Sequence, residues 1–228
     1  MSSSQSPKAI NPLPPVVAAL FLVVMGVEVA FWAGSKGMIG GPGAIGWRLA
    51  AVQKYAFSAE IFQWMLDNNR WVPEHLLRFV SYLFIHANMT HALFGGVLLL
   101  AMGKMVGEVF SGLATLLIFV LSGVSGALGF ALITGSPVPL VGSYPGVYGL
   151  IGAFTFLLWV RLGAVGAPQA RAFSLIGILV TIQLVFSLVF GGTPDWVADV
   201  AGFVAGFLLS FLLVPGGWRR IREMIRHD

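Results

Sequence analysis

Apolar residues in this chain run in long blocks separated by short polar breaks. Six blocks stand out: Leu13–Gly34, Ser81–Gly107, Leu113–Thr134, Val141–Val160, Ala172–Phe190 and Trp196–Val214. Each is close to the roughly 20 residues that a helix needs to cross a bilayer core. The joints Gly107–Gly112, Gly135–Leu140, Arg161–Arg171 and Gly191–Asp195 are short, which suits antiparallel neighbours. The stretch between the first two blocks, residues 35–78, has a different texture. Gly40, Gly41, Pro42 and Gly43 open it as a flexible entry. Ile45, Leu49, Val52 and Ala56 then recur at helical spacing, and Phe57, Ile61, Trp64 and Met65 follow. Trp47 and Tyr55 add aromatics, and Arg48, Lys54, Glu60 and Asp67 are interspersed. That pattern predicts an amphipathic helical segment lying in the interface, ended by the turn Asp67-Asn68-Asn69. The expected fold is an all-α membrane protein, a bundle of six transmembrane helices with an amphipathic outer first loop. Residues 1–12 read as a disordered Ser- and Pro-rich tail, 13–214 as the membrane domain, and 215–228 as a basic cytoplasmic tail.

Composition sharpens this. The chain is 57% hydrophobic and 10% charged, against about 25% charged in soluble domains, so a soluble enzyme is excluded. The first block is too long for a signal-peptide core and lacks a small-x-small cleavage site. Without cysteine, neither a disulfide framework nor a cysteine metal site can form. The net charge of +4 comes from basic residues near helix ends. It suits anionic membrane lipids, and no basic–aromatic groove points to nucleic acid. Lys8, Lys104, Arg161, Arg171, Arg219, Arg220, Arg222 and Arg226 fall on one side. They outnumber Lys36, Arg48, Lys54, Arg70 and Arg78 on the other, which predicts cytoplasmic termini.

Candidate chemistry collects at the opposite end. Val141–Phe154, VGSYPGVYGLIGAF, carries Gly142, Gly146, Gly149 and Gly152, a spacing that lets another helix backbone come close. Pro145 suits a first helical turn, and Ser143–Tyr144 forms a polar tip. The topology brings His86 and His91, Ser143 and Tyr144, and Asp195 and Asp199 to one end of the bundle. A hydrogen-bonded cluster of His91, Tyr144 and Asp199 is one expectation there, and separate backbone or water partners for each is the other. Glu28 is a carboxylate inside the first block, where an intramembrane ionisable group is a functional candidate and an interhelical hydrogen bond is the simpler reading. His86 and His91 are five positions apart on the expected second helix and so point about 140° apart. No metal site and no cofactor is therefore expected.

These residues carry a resemblance to the rhomboid family of intramembrane serine proteases. Residues 78–95, RFVSYLFIHANMTHALFG, resemble its second-helix motif R-x(7)-H-x(4)-H-x(3)-N. Residues 141–154 resemble its fourth-helix G-x-S-G motif, and 199–206, DVAGFVAG, its sixth-helix H-x-x-G-x-x-x-G motif. The resemblance implies a serine nucleophile on the fourth helix, a histidine base on the sixth, and oxyanion support from the second.

Here Tyr144 stands at the serine position and Asp199 at the histidine position. His86 and His91 match the second-helix histidines, Gly95 replaces the asparagine, Gly142 is kept and Pro145 replaces the glycine after the nucleophile. Gly202 and Gly206 remain. A serine needs an adjacent base to attack, and a phenol beside a carboxylate is a poor substitute. Two serines are fallback nucleophiles: Ser143, expected on a helix about 100° round from Tyr144, and Ser125 in GVSG of the third block, where small residues for close packing are the simpler reading. The implied function is a non-catalytic rhomboid-like protein that binds transmembrane segments of client proteins through an opening between helices two and five and regulates their stability or assembly. On helix five, Phe173, Gln183 and Ser187 are the candidate contacts. The alternatives are an active intramembrane serine endopeptidase and, on the thin evidence of Glu28, Lys104 and Asp199, a transporter or channel. The family's minimal six-helix form implies a bacterial inner membrane. The sequence assigns no oligomeric state.

Overall fold

A computed structural model describes residues 12–216 of the chain. The expectations for residues 1–11 and 217–228, and for the side chain of Ser187, lie outside the described residues. The described chain is almost wholly helical. Helix α1 spans Pro15–Ser35, α2 Trp47–Tyr55, α3 Ala59–Asp67, α4 Pro73–Ser81, α5 Met89–Gly107, α6 Gly112–Thr134, α7 Tyr144–Ala164, α8 Ser174–Phe190 and α9 Trp196–Leu213. Five of these, α1, α5, α6, α7 and α9, are long and apolar enough to cross a membrane. The sixth, α8, is a shorter apolar helix of 17 residues led in by a 3₁₀ turn at Gln169–Phe173. The chain is a multi-pass integral membrane protein whose outer helical faces meet lipid.

The core forms where α7 packs against α9 and α6. Glycine explains the closeness. A Cβ on Gly202 would run into the Pro145 carbonyl, one on Gly206 into the Gly149 backbone, and one on Gly152 into the Phe203 carbonyl. Helices that touch backbone to backbone gain dispersion contacts that lipid cannot replace. Helix α8 is held differently. It leans on α9 and on its own leading turn, and its Ile178, Ile182, Val185 and Leu188 are exposed.

Two expected elements break, for tertiary reasons. The interfacial segment is not continuous: α2 stops where Phe57 pairs with Leu140 in an antiparallel bridge. Ser58 then starts α3 by accepting a bond from the Ile61 N–H, and α4 follows Arg70-Trp71-Val72. Helix two does not run from Ser81. A 3₁₀ turn at Tyr82–Phe84 and an extended Ile85–Asn88 separate α4 from α5. Tyr82 fixes this break. Its hydroxyl donates to the Gly123 carbonyl at 2.8 Å, and its own carbonyl accepts from the Gly142 N–H at 3.0 Å. Asn88 restarts the helix by accepting from the His91 N–H, the N-cap bond that its residue type favours.

Candidate functional site

The break in helix two decides the geometry of the site. His86 sits in the extended linker, not on α5, so the rotation expected between His86 and His91 does not apply. Their rings stand 5.4 Å apart, edge to face. Among the described residues, however, no three His, Cys, Asp or Glu side chains gather as a metal site would require.

The start of α7 differs in a related way. Gly142 has φ +112°, a conformation that side-chain-bearing residues rarely adopt. The chain therefore turns before the helix begins, and Ser143 precedes the first helical residue, Tyr144. The expected helical step between Ser143 and Tyr144 is replaced by a corner. Ser143 turns into the bundle and is fully buried. Its N–H donates to His86 Nε2 at 3.2 Å, and its hydroxyl oxygen lies 3.1 Å from the same nitrogen. A nitrogen that accepts carries no proton, so the imidazole is neutral, its proton on Nδ1, with the hydroxyl donating. Burial, aided by His91 and Arg48, pushes His86 down to about 3, in keeping with that assignment. Its Nδ1 is buried and unpartnered. Gly95 makes the pocket for this pair: a Cβ there would meet the Ser143 hydroxyl at 2.8 Å and the Tyr144 ring at 3.4 Å. The residue missing from the motif is thus the one whose side chain would displace Ser143.

Tyr144 takes the other direction. Its ring stacks on His91 with centroids 4.6 Å apart and planes 12° from parallel, and its hydroxyl donates to the His91 carbonyl at 3.1 Å. Asp199 is buried on α9. It accepts from Gln183 of α8 at 2.6 Å, so of the expected cluster the structure joins His91 with Tyr144 and gives Asp199 to Gln183. Ser125 lies half-buried along α6, and among the described residues no histidine bonds it.

A cleft of about 670 Å³ opens at this end, lined in part by Asn88, Thr90, His91, Tyr144, Thr193 and Asp195. Asp195 accepts from the Thr193 hydroxyl at 2.7 Å, its other oxygen is buried without a partner, and burial pushes its carboxyl up. Ser143 is absent from the cleft wall.

Beneath the site lies a support that the sequence reading left open. Glu28 on α1 is 1% exposed and takes a two-pronged bond from Arg48 of α2, at 2.6 and 2.8 Å. Arg48 Nη1 also donates to the His86 carbonyl at 2.6 Å. A charge on the first helix thus holds the interfacial loop, and the loop holds the linker that carries His86. Spacing alone offered no signal for a pair 20 residues apart across a glycine-rich turn.

No curated protein sequence matches the chain. A family model described as the Rhomboid domain matches residues 73–216, from α4 through α9. With that match over more than half the chain, with the glycine-packed α7–α9 core and with the three motifs meeting at one end of the bundle, the chain belongs to the rhomboid family.

Proposed function

We propose that this protein is a non-catalytic rhomboid-like membrane protein that binds transmembrane segments of client proteins and regulates their stability or assembly. One observation carries the reading: each side chain at a catalytic position is engaged elsewhere. Tyr144 is committed to His91 and Asp199 to Gln183, so among the described residues no hydroxyl and base face each other across the cleft. What remains is a scaffold with a weakly braced helix α8 beside a cleft with one polar wall. Such an arrangement suits recognition of a partner helix whose end carries hydrogen-bond donors, because the buried free oxygen of Asp195 lacks one. The charge distribution supports cytoplasmic termini, and the family's six-helix form supports a bacterial inner membrane.

The test is site-specific photocrosslinking from Gln183 and Phe173 in native membranes, followed by mass spectrometry. Adducts with single helical segments of other membrane proteins support the reading. Adducts confined to lipid overturn it.

The Ser143–His86 contact favours a second reading, a serine endopeptidase with a relocated pair. A cleavage assay on a model transmembrane substrate separates the two, run on the parent, Ser143→Ala and Ser125→Ala. Cleavage by the parent that disappears in either variant establishes the peptidase.

A further inference from the structure

A second cleft lies away from the site, between α1, α2 and the linker that follows α4. Its volume is about 500 Å³, and its walls are Val23, Val27, Ala30 and Phe31 of α1, Ala51 and Tyr55 of α2, and Ser81, Phe84 and Ile85 around the turn after α4. The lining is almost wholly apolar. The volume equals roughly one turn of helix with its side chains, 5.4 Å long and 10–12 Å across, so a transmembrane segment does not fit. A hydrocarbon chain one carbon thick does. Tyr55 in the cleft wall is exposed, as is Trp47 at the other end of α2, and exposed aromatics belong where hydrocarbon gives way to headgroups. At that level Lys54 stands over the Tyr55 ring, 5.3 Å from its centroid. Lys54 is exposed, and among the described residues the only ion pair is Arg48–Glu28, so its charge is not met by a carboxylate. An apolar slot with an uncompensated cation at its mouth is complementary to an amphiphile with an anionic head.

We propose that this cleft is a binding site for an anionic phospholipid, with one acyl chain between α1 and α2 and the phosphate at Lys54. The occupant abuts two parts that support the site. Phe84 and Ile85 lead directly into His86, and Phe31 lies 5.2 Å beneath the Arg48 guanidinium. Bound lipid therefore braces the loop that fixes the His86 linker. This inference is independent of whether the protein cleaves or binds clients.

The experiment uses the full chain in phosphatidylcholine nanodiscs doped with phosphatidylglycerol bearing a mid-chain diazirine. Irradiation and peptide mapping locate the adducts. A matched phosphatidylcholine probe serves as the comparison. Adducts are expected on Val23, Val27 and Phe84, with about fivefold preference for the glycerol headgroup, the discrimination that one lysine at a membrane surface provides. Lys54→Glu should abolish the preference and leave the bundle intact. Ala51→Trp, which fills the slot, should remove the adducts, and Ala30→Trp gives the same reading from the opposite wall. Equal labelling of the cleft and of the lipid-facing Leu132, Ile133 and Leu188, or equal labelling by both headgroups, overturns the proposal.

Discussion

Replacing Arg48 by alanine removes both bonds to Glu28 and the bond to the His86 carbonyl. The two partners of this pair are unequally placed: Glu28 is 1% exposed and Arg48 28%. Loss of the arginine strands a carboxylate inside the bundle. Breaking a buried pair from one side costs about 3–5 kcal/mol. Because Arg48 keeps some contact with solvent, its bond is partly screened, so the lower end, about 3 kcal/mol, is expected. Glu28→Gln strands only a guanidinium that reaches the interface, and the neutral amide still accepts from it, so about 1 kcal/mol is expected. Glu28→Gln combined with Arg48→Met, which leaves no buried charge and keeps the volume, should recover most of the loss seen in Arg48→Ala. Denaturant unfolding in micelles, followed by tryptophan fluorescence, measures all three. Equal costs for Arg48→Ala and Glu28→Gln, or a double variant less stable than Arg48→Ala, would refute a stranded Glu28 charge as the cause.

Other outcomes follow from the same geometry. Gly206→Val pushes two methyls and a Cβ into the Gly149 backbone and should destabilise by about 3 kcal/mol or more, whereas Gly177→Ala on α8, where nothing lies within 4 Å, should be neutral or slightly stabilising. The same unfolding assay compares them. His86 is held neutral when folded, at about 3, against about 6.5 unfolded. Between these values the unfolded chain binds the extra proton, so stability is fully present above about pH 6.5 and falls as pH drops toward 3. In His86→Gln the unfolding midpoint should lose that part of its pH slope, and an unchanged slope would show that His86 is not the group responsible.

How much of this was legible in the residues depends on the range of the interactions. Helices α1, α6 and α9 follow from their apolar runs, because lipid forces the backbone to bond within the segment. The α7–α9 contact was legible in the glycine spacing of both segments. The interruption between Ser81 and Met89 was not. Tyr82-Leu83-Phe84-Ile85 continues an apolar pattern, and what breaks it is a pair of bonds to Gly123 and Gly142, 41 and 60 positions on. The same is true of Ser143. Its direction is set by the positive φ at Gly142, and a helical step assumed from Val141 onward rotates it to the wrong place. Gln183 was recognisable as a polar residue on an apolar helix, but its bond to Asp199 needs α8 and α9 docked. The residue types at positions 95, 144 and 199 showed what departs from the family motif. The structure adds what each position does: Gly95 leaves room for Ser143, Tyr144 rests on His91, and Asp199 is held by Gln183.

The most direct test of the central claim is covalent labelling of the purified full-length protein by a serine-directed fluorophosphonate, read by intact mass and peptide mapping. A buried Ser143 hydroxyl that donates to a neutral His86, with no place on the cleft wall, predicts no adduct on any serine over the time in which an active serine hydrolase is fully labelled. An adduct on Ser143 that is lost in Ser143→Ala, or in His86→Gln, would contradict the account and identify a working nucleophile.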